Sequence, residues 1–113
     1  MNVKQHRHWI RKKTVTVLKF WGMESLDIKI RFRRTHPKFF ASASKTNITF
    51  YLNRWDKLSY LRRREILVHE LCHVVAENKK RCLNDWHGRY WQNLMYSAGY
   101  EPIVAYDWIL NKD

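Results

Sequence analysis

Cysteine, glycine, proline and long apolar runs are all scarce in this sequence of 113 residues, which holds 2 Cys, 3 Gly and 2 Pro. Its two cysteines, Cys72 and Cys82, form no C-x-x-C pair, which argues against a disulfide scaffold and fits a reducing compartment. So few glycines and prolines leave no linker or low-complexity segment. No run approaches the ~20 apolar residues that cross a bilayer, and the basic N-terminus lacks the pattern of a signal peptide. We therefore expect an intracellular protein with no membrane partner.

Acidic residues are also scarce, because 10 Asp and Glu stand against 22 Lys and Arg, for a net charge of +12. Residues 1–45 alone carry 12 basic and 2 acidic residues. A basic half beside a nearly neutral half favours a polyanionic partner, nucleic acid or an anionic membrane surface, although charge serves solubility equally well. With DNA as the partner, the protein would be cytoplasmic or DNA-associated, and we expect a monomer. The candidate nucleic-acid contacts are Arg11, Lys12, Lys13, Lys29, Arg31, Arg33 and Arg34.

The composition, 45% apolar and 15% aromatic, is typical of a globular protein with large core-filling side chains. At this length we expect one domain over residues 1–113 with a modest core. The apolar tail 103–110 is expected to pack back on that domain.

Hydrophobic periodicity predicts strands in the first half of the chain. Apolar residues alternate with cations over 27–34, which predicts a half-buried strand. A shorter strand is expected over 39–44 and another over 47–53. Together they suggest a small antiparallel sheet. Residues 1–22 fit a helix or a strand about equally well.

Two helices are predicted in the second half, which makes the expected fold α+β. The first begins at Asp56 or Ser59, both good N-cap residues, and runs to about Asn78. The second follows Asp85 and ends at Gly99. Its expected core-facing stripe is Trp91, Leu94, Met95 and Ala98.

His69, Glu70 and His73 form an H-E-x-x-H motif inside the apolar part of the first of these helices. Residues four apart lie one above the other on a helix, so the two imidazoles can bind one cation. Glu70 lies about 100° from His69 and about 60° from His73 at ~3.6 residues per turn. Burying three ionisable groups without a partner would cost several kcal/mol. The motif therefore predicts zinc held by two histidines with Glu70 as general base, and the alternative is a chance match or a satisfied histidine pair in the core.

A catalytic zinc site has three protein ligands and one open position, so a third ligand is needed. His87 stands just ahead of the second helix, where a helical hairpin would bring it over the histidine face of the first. Glu101 is another downstream candidate, in a turn before a proline. Ala76 and Lys79 stand where a metzincin motif needs Gly and His, which excludes that class. The remaining histidines are expected at the surface: His6, His8 and His36.

The segment over about residues 58–100 resembles the SprT-like family, which includes bacterial SprT and the Spartan DNA-repair proteases. The likeness is carried by His69-Glu70-Leu71-Cys72-His73 and by His87-Gly88-Arg89-Tyr90-Trp91-Gln92-Asn93-Leu94-Met95, followed by Gly99-Tyr100. The resemblance implies zinc ligands at His69, His73 and His87, Glu70 as general base, and a compact zincin-like α+β fold. It also implies action on DNA-bound proteins. No cysteine-rich zinc ribbon follows the motif, so we expect a minimal form of the family.

The expected activity is peptide-bond hydrolysis by a zinc metalloendopeptidase. Water on zinc has a pKa of about 7 instead of 15.7, Glu70 takes its proton, and the hydroxide attacks the carbonyl. The alternative is a basic nucleic-acid-binding module without proteolysis, in which Cys82 or Asp85 closes a structural zinc site as fourth ligand. A third possibility is a host-interaction protein on the same scaffold. Residues that could assist at the oxyanion are not ranked by the sequence: Arg89, Tyr90, Tyr96 and Tyr100.

Overall fold

The computed structural model describes residues 2–36, 39–44, 46–78 and 88–101. The elements of the described ranges, in chain order, are α1 (Val3–Phe20), β1 (Lys29–Arg33), β2 (Ala41–Ala43), β3 (Asn47–Tyr51), a 3-10 helix (Leu52–Lys57), α2 (Tyr60–Asn78) and α3 (Arg89–Ser97). The predicted α+β fold is confirmed. The tail 103–110, expected to pack on the domain, lies outside the described residues. Across the described ranges, no helix is both long enough and apolar enough to span a bilayer.

Helix α1 occupies the first residues of the chain, where the sequence pattern allowed either a helix or a strand. Asn2 caps it, because its side chain accepts from the N–H of Gln5 at 2.9 Å while the Gln5 side chain accepts from the N–H of Asn2 at 2.8 Å. This capping box satisfies two donors that a helix start leaves without partners. The β-branched run 14–17 is helical all the same, since one face of α1 is buried. The buried residues are His6, Ile10, Thr14, Val17 and Leu18.

The sheet is mixed, with β3 in the centre and the strand order β1-β3-β2. Strand β2 pairs antiparallel with β3, but β1 pairs with β3 in parallel, with Ile30 opposite Ile48 and Phe32 opposite Phe50. The prediction of an antiparallel sheet is therefore wrong for one of the two strand pairs. The alternation of apolar and polar residues indicates which side of a strand is buried. It does not distinguish parallel from antiparallel pairing, because the pattern is the same in both.

Strand β3 ends at Tyr51 and not at Asn53 as predicted, because the 3-10 helix begins at Leu52. Trp55 anchors this short helix in the core. It is completely buried and meets the Phe50 ring edge-on, with 5.7 Å between the ring centroids. The apolar pattern that suggested a longer strand continues because Leu52 and Trp55 are both buried.

Helix α2 is the central helix of the fold. The Oγ atom of Ser59 accepts from the N–H of Arg62 at 3.2 Å, so Ser59 caps α2 as one of the two predicted starts. All residues from 65 to 76 are buried, since β2, β3, α1 and α3 pack around this helix. The H-E-x-x-H motif consequently lies in the interior of the protein.

Helix α3 follows Gly88, its N-cap residue, and the chain turns after it at Gly99, which has a φ of 88°. Glycine is favoured at this position because a positive φ strains residues that carry a Cβ atom. The predicted end of the second helix is therefore confirmed. Its apolar stripe also packs against the core as expected: Trp91, Leu94, Met95 and Ala98.

Candidate metal centre

The two motif histidines lie one turn apart on α2 with their rings close together. His69 is 1% exposed and His73 is 2% exposed, and their Nε2 atoms are 3.3 Å apart. Two nitrogens bound to one tetrahedral zinc at ~2.0–2.1 Å would be about 3.3–3.4 Å apart. The pair therefore has the separation that a shared cation requires.

The same separation also permits a hydrogen bond between the two rings, in which one Nε2–H donates to the other Nε2. Binding a cation requires a lone pair on both Nε2 atoms, with the ring proton on Nδ1. The distance alone does not distinguish these two arrangements of His69 and His73. The neighbouring carboxyl group provides a separate observation.

Glu70 is 1% exposed, and its Oε1 atom has no hydrogen-bond partner among the described residues. Burial raises the pKa of Glu70 to about 8. A buried carboxyl group without a partner is costly, and its charged form is the more costly of the two. A nearby cation would offset that cost. Glu70 thus favours a metal site over a histidine pair that serves only the core.

Trp91, in the first turn of α3, contacts both histidines. Its ring stacks on His73, with 5.3 Å between centroids and 21° between planes. It meets His69 edge-on, at 5.0 Å and 76°, and its Nε1–H donates to the carbonyl oxygen of His69 at 3.3 Å. The sequence pattern placed Trp91 on the core-facing stripe but missed these contacts, because periodicity indicates a buried face and not the residues it meets.

The third ligand stays a prediction. His87 lies outside the described residues, and so do Cys82 and Asp85. Within the described ranges, no group of three His, Cys, Asp or Glu side chains is gathered as a metal-binding cluster. The described structure therefore supplies two candidate ligands and the candidate base, and Gly88, which directly follows His87 in the chain, begins α3.

The expected surface position is wrong for His6. This residue is 1% exposed, and its Nε2 atom lies 2.6 Å from Oδ1 of Asp56 on the 3-10 helix. Its hydrogen bond lowers the pKa of Asp56. The signal was present in the sequence, because His6 stands four residues before Ile10 on the buried stripe of α1. His8 is exposed and His36 is half buried.

Other reactive side chains lie near the motif in sequence or in space. Cys72 is completely buried, and burial raises the pKa of its thiol, so it is a core residue as expected. Tyr100 packs under Arg64, with 5.9 Å from the guanidinium carbon to the ring centroid, which places it at the N-terminal half of α2. Burial raises the pKa of Tyr100. Arg89 and Tyr90 share the first turn of α3 with Trp91.

The seven predicted nucleic-acid contacts lie on more than one surface. Lys12 is exposed on α1. Lys13 lies over the Tyr60 ring at 5.8 Å, whereas Arg11 lies over the Phe32 ring at 5.1 Å. Arg34 follows β1 directly. Three cations project from the exposed positions of β1, opposite to its half-buried Ile30 and Phe32: Lys29, Arg31 and Arg33.

The structure adds Arg7, which the sequence analysis did not single out. Its guanidinium carbon lies 5.4 Å from the centroid of the Phe32 ring, one helical turn before Arg11. Arg7, Phe32, Arg33 and Arg34 line a cavity of about 330 Å³. In the part of the chain that is described, neither these three arginines nor Arg11 forms a salt bridge with a carboxylate. We call Arg7, Arg11, Arg33 and Arg34 with Phe32 the arginine cluster.

A comparison with protein families bears directly on this site. A model of the SprT-like family matches residues 10–106, from α1 to beyond α3. The chain belongs to the SprT-like family. Among curated proteins, none matches it. The family match covers His69, Glu70, His73 and the whole of α3, and it associates the chain with metallopeptidase-like domains and with zinc.

Proposed function

We propose that this SprT-like chain is a zinc-dependent metalloendopeptidase, with His69, His73 and His87 as zinc ligands and Glu70 as general base. The observation that carries the proposal is the 3.3 Å between the two Nε2 atoms of buried histidines, next in sequence to a buried carboxyl group whose Oε1 atom lacks a hydrogen-bond partner among the described residues. Membership of the SprT-like family supports it. A zincin-like fold over residues 1–113, with the sheet packed on the motif helix, is part of the same proposal.

The beginning of α3 supports the assignment of His87. Trp91 contacts both imidazoles, and His87 precedes it by only four positions in the sequence. Gly88 between them is the N-cap residue, and its lack of a side chain would let the backbone approach α2 closely. The N-terminal end of α3, which directly follows residue 87 in the sequence, is therefore the end that meets the histidine pair.

The residues present fit peptide hydrolysis. Bound zinc would supply a Lewis acid that lowers the pKa of water toward ~7 and polarises the substrate carbonyl. Glu70 accepts the proton of the attacking water at a carboxylate oxygen while the water oxygen bonds to the carbonyl carbon. It then returns the proton to the leaving nitrogen as the C–N bond breaks. The pKa of Glu70, about 8 without a cation, falls when positive charge is nearby, which provides the carboxylate form at neutral pH.

We assign the substrate to the edge of β2 that faces away from β3, with which no other strand of the described residues pairs. The N–H of Ser44 donates to the carbonyl of Asn47 at 2.9 Å, and paired residues alternate along an antiparallel strand, so Ala43 directs its N–H and C=O away from β3. Strand β2 packs on α2, and an extended peptide could add to this edge. Ala43→Pro removes the N–H and should raise KM for a peptide several-fold, with unchanged zinc content. An unchanged KM would exclude this edge.

We also propose that the protein substrate is bound to nucleic acid, and that the arginine cluster beside α1 and β1 holds the nucleic acid. The support is the arginine cluster, whose exposed guanidinium groups have no carboxylate partners in the described ranges. Cleavage of a DNA-bound protein should rise with added single-stranded DNA and fall with salt. Activity that is indifferent to both would remove DNA from the proposal.

The decisive experiment replaces Glu70 by Gln, which keeps the size of the side chain and removes the base. Cleavage of denatured casein should fall by about 10²–10⁴-fold, while zinc content stays that of the wild type. Glu77→Gln is the matched control, because it makes the same change two turns further along α2, at a half-buried position. Equal activity of Glu70→Gln and wild type would contradict the assigned base.

A second candidate function is a basic nucleic-acid-binding module with a structural zinc, which the arginine cluster favours. It predicts that neither wild type nor Glu70→Gln cleaves protein, although both bind zinc and DNA. A structural site would be closed by a fourth ligand, so Cys82→Ser or Asp85→Asn should then release zinc. In the metallopeptidase, both substitutions leave the zinc in place.

A further inference from the structure

We propose that Trp91 is the positioning residue of the metal centre, which holds the imidazoles of His69 and His73 so that both Nε2 atoms face one cation. This inference rests on the proposed metal function of the histidine pair and goes beyond it. Trp91 acts through the two histidines and has no role as a ligand or proton carrier.

The stacking contact restrains His73. The terminal torsion of a histidine side chain is broad and roughly two-fold, so the ring of an unrestrained histidine turns easily away from its partner. The indole ring lies 5.3 Å from the His73 ring at only 21°. A rotation of His73 out of this plane would drive its edge into the buried indole. The stacked orientation is also the one that gives the 3.3 Å separation between the Nε2 atoms.

The indole edge and its N–H restrain His69. Trp91 meets that ring at 76° and blocks its rotation toward α3. The Nε1–H of Trp91 donates to the carbonyl oxygen of His69, the same carbonyl that accepts the helical hydrogen bond from the N–H of His73. One side chain is therefore bonded to the helical turn that joins the two histidines and packed against both of their rings. Trp91 is 1% exposed, so water does not compete for this hydrogen bond.

Trp55 provides a matched comparison, because it is an equally buried tryptophan outside the site. It is completely buried and meets Phe50 edge-on at 5.7 Å. Its Nε1–H has no hydrogen-bond partner in the described part of the chain. If Trp91 merely filled the core, replacing either tryptophan would leave the zinc affinity of the folded protein unchanged. A positioning role predicts that only replacement of Trp91 alters metal binding.

The experiment measures the zinc dissociation constant by chelator competition in wild type, Trp91→Leu, Trp91→Phe and Trp55→Phe. Loss of a group that orients metal ligands typically costs 10–100-fold in affinity, and we expect a loss of about this size for Trp91→Leu. Trp91→Phe keeps a ring on His73 but loses the N–H, so a several-fold loss is expected. Trp55→Phe should match wild type within about two-fold. With Co²⁺ in place of zinc, the absorption bands of Trp91→Leu should shift, since they report ligand geometry.

Thermal unfolding of the metal-free proteins separates positioning from stability. Both Phe variants should be folded without metal, with Trp91→Phe unfolding at the lower temperature because it alone loses a buried hydrogen bond. Zinc affinity, measured well below both unfolding temperatures, should be lowered only in Trp91→Phe. Should Trp91→Leu fail to fold, the comparison of the two Phe variants decides alone. Equal zinc affinity of Trp91→Phe and Trp55→Phe, with unchanged Co²⁺ bands, would overturn the positioning role while leaving the metal site intact. Failure of the wild type to bind zinc would instead overturn the proposed function, and this inference with it.

Discussion

The histidine site and the arginine cluster differ in how their charged groups are stabilised. The site lies within residues 65–76, all of them buried, whereas the arginines of the cluster are exposed and lack carboxylate partners among the described residues. Water and salt screen exposed charges, but they reach buried groups poorly. Changes at the site should therefore have large effects that salt hardly alters. Changes in the cluster should have small effects that vanish at high salt.

Loss of a histidine ligand should have the largest effect. His69→Ala, His73→Ala and His87→Ala should each fail to retain zinc after dialysis against buffer, as measured by metal analysis, because two remaining ligands hold the ion weakly. His8→Ala, an exposed histidine on α1, is the control and should retain it. Full zinc content in His87→Ala would remove the third ligand from the proposal and leave the pair on α2 as the complete protein contribution.

The buried carboxyl group should make the stability of the metal-free protein depend on pH. The pKa of Glu70 is raised from 4.5 to about 8, so its contribution is fully present below pH ~4.5 and is lost as the pH rises through about 8. At 1.36 kcal/mol per pH unit, the free energy of unfolding should fall by up to about 3 kcal/mol between pH 5.5 and 8.5 on this account.

Chemical denaturation in the presence of a chelator measures this effect as the difference between wild type and Glu70→Gln. The amide does not titrate, so the free energy of unfolding of Glu70→Gln should increase relative to that of the wild type as the pH rises. Glu77→Gln corrects for the loss of one acidic residue. If the difference in free energy of unfolding between wild type and Glu70→Gln stays constant over the pH range, Glu70 is hydrated in the metal-free protein. The histidine site would then not differ from the exposed surface in how it stabilises this charge.

The parts of the fold that follow from local chemistry could be read from the sequence. Ser59 as a cap, Gly99 as a terminator and the burial of the motif helix each depend on residues within one or two turns. The parallel pairing of β1, the contact of Trp91 with two histidines and the burial of His6 depend on residues brought together from distant positions. Hydrophobic patterns show that a residue faces the core, but they do not identify what it meets there.

The position of Arg7 illustrates the same limit for the basic surface. The candidates predicted in this stretch, Arg11, Lys12 and Lys13, are consecutive, but consecutive residues of a helix point about 100° apart. Arg7 and Arg11, one turn apart, are the pair that converges on Phe32. Interpreting residues 1–22 as a helix would have placed Arg7 and Arg11 on one face. The pair was not predicted because the sequence pattern of this stretch fits a helix and a strand about equally well.

The smallest expected effect belongs to the arginine cluster. Arg7→Gln should weaken binding of a single-stranded DNA oligonucleotide several-fold near physiological salt and lower the slope of log affinity against log salt by ~0.7, the value for one phosphate contact. Lys19→Gln makes the same change in net charge on α1, ~18 Å further along the helix. It should alter neither quantity by as much, and both variants should keep their zinc. Equal effects of the two substitutions would show that only the total charge attracts DNA. The arginine cluster would then not be a specific binding site, and the histidine site would be the one functional site proposed for the described residues.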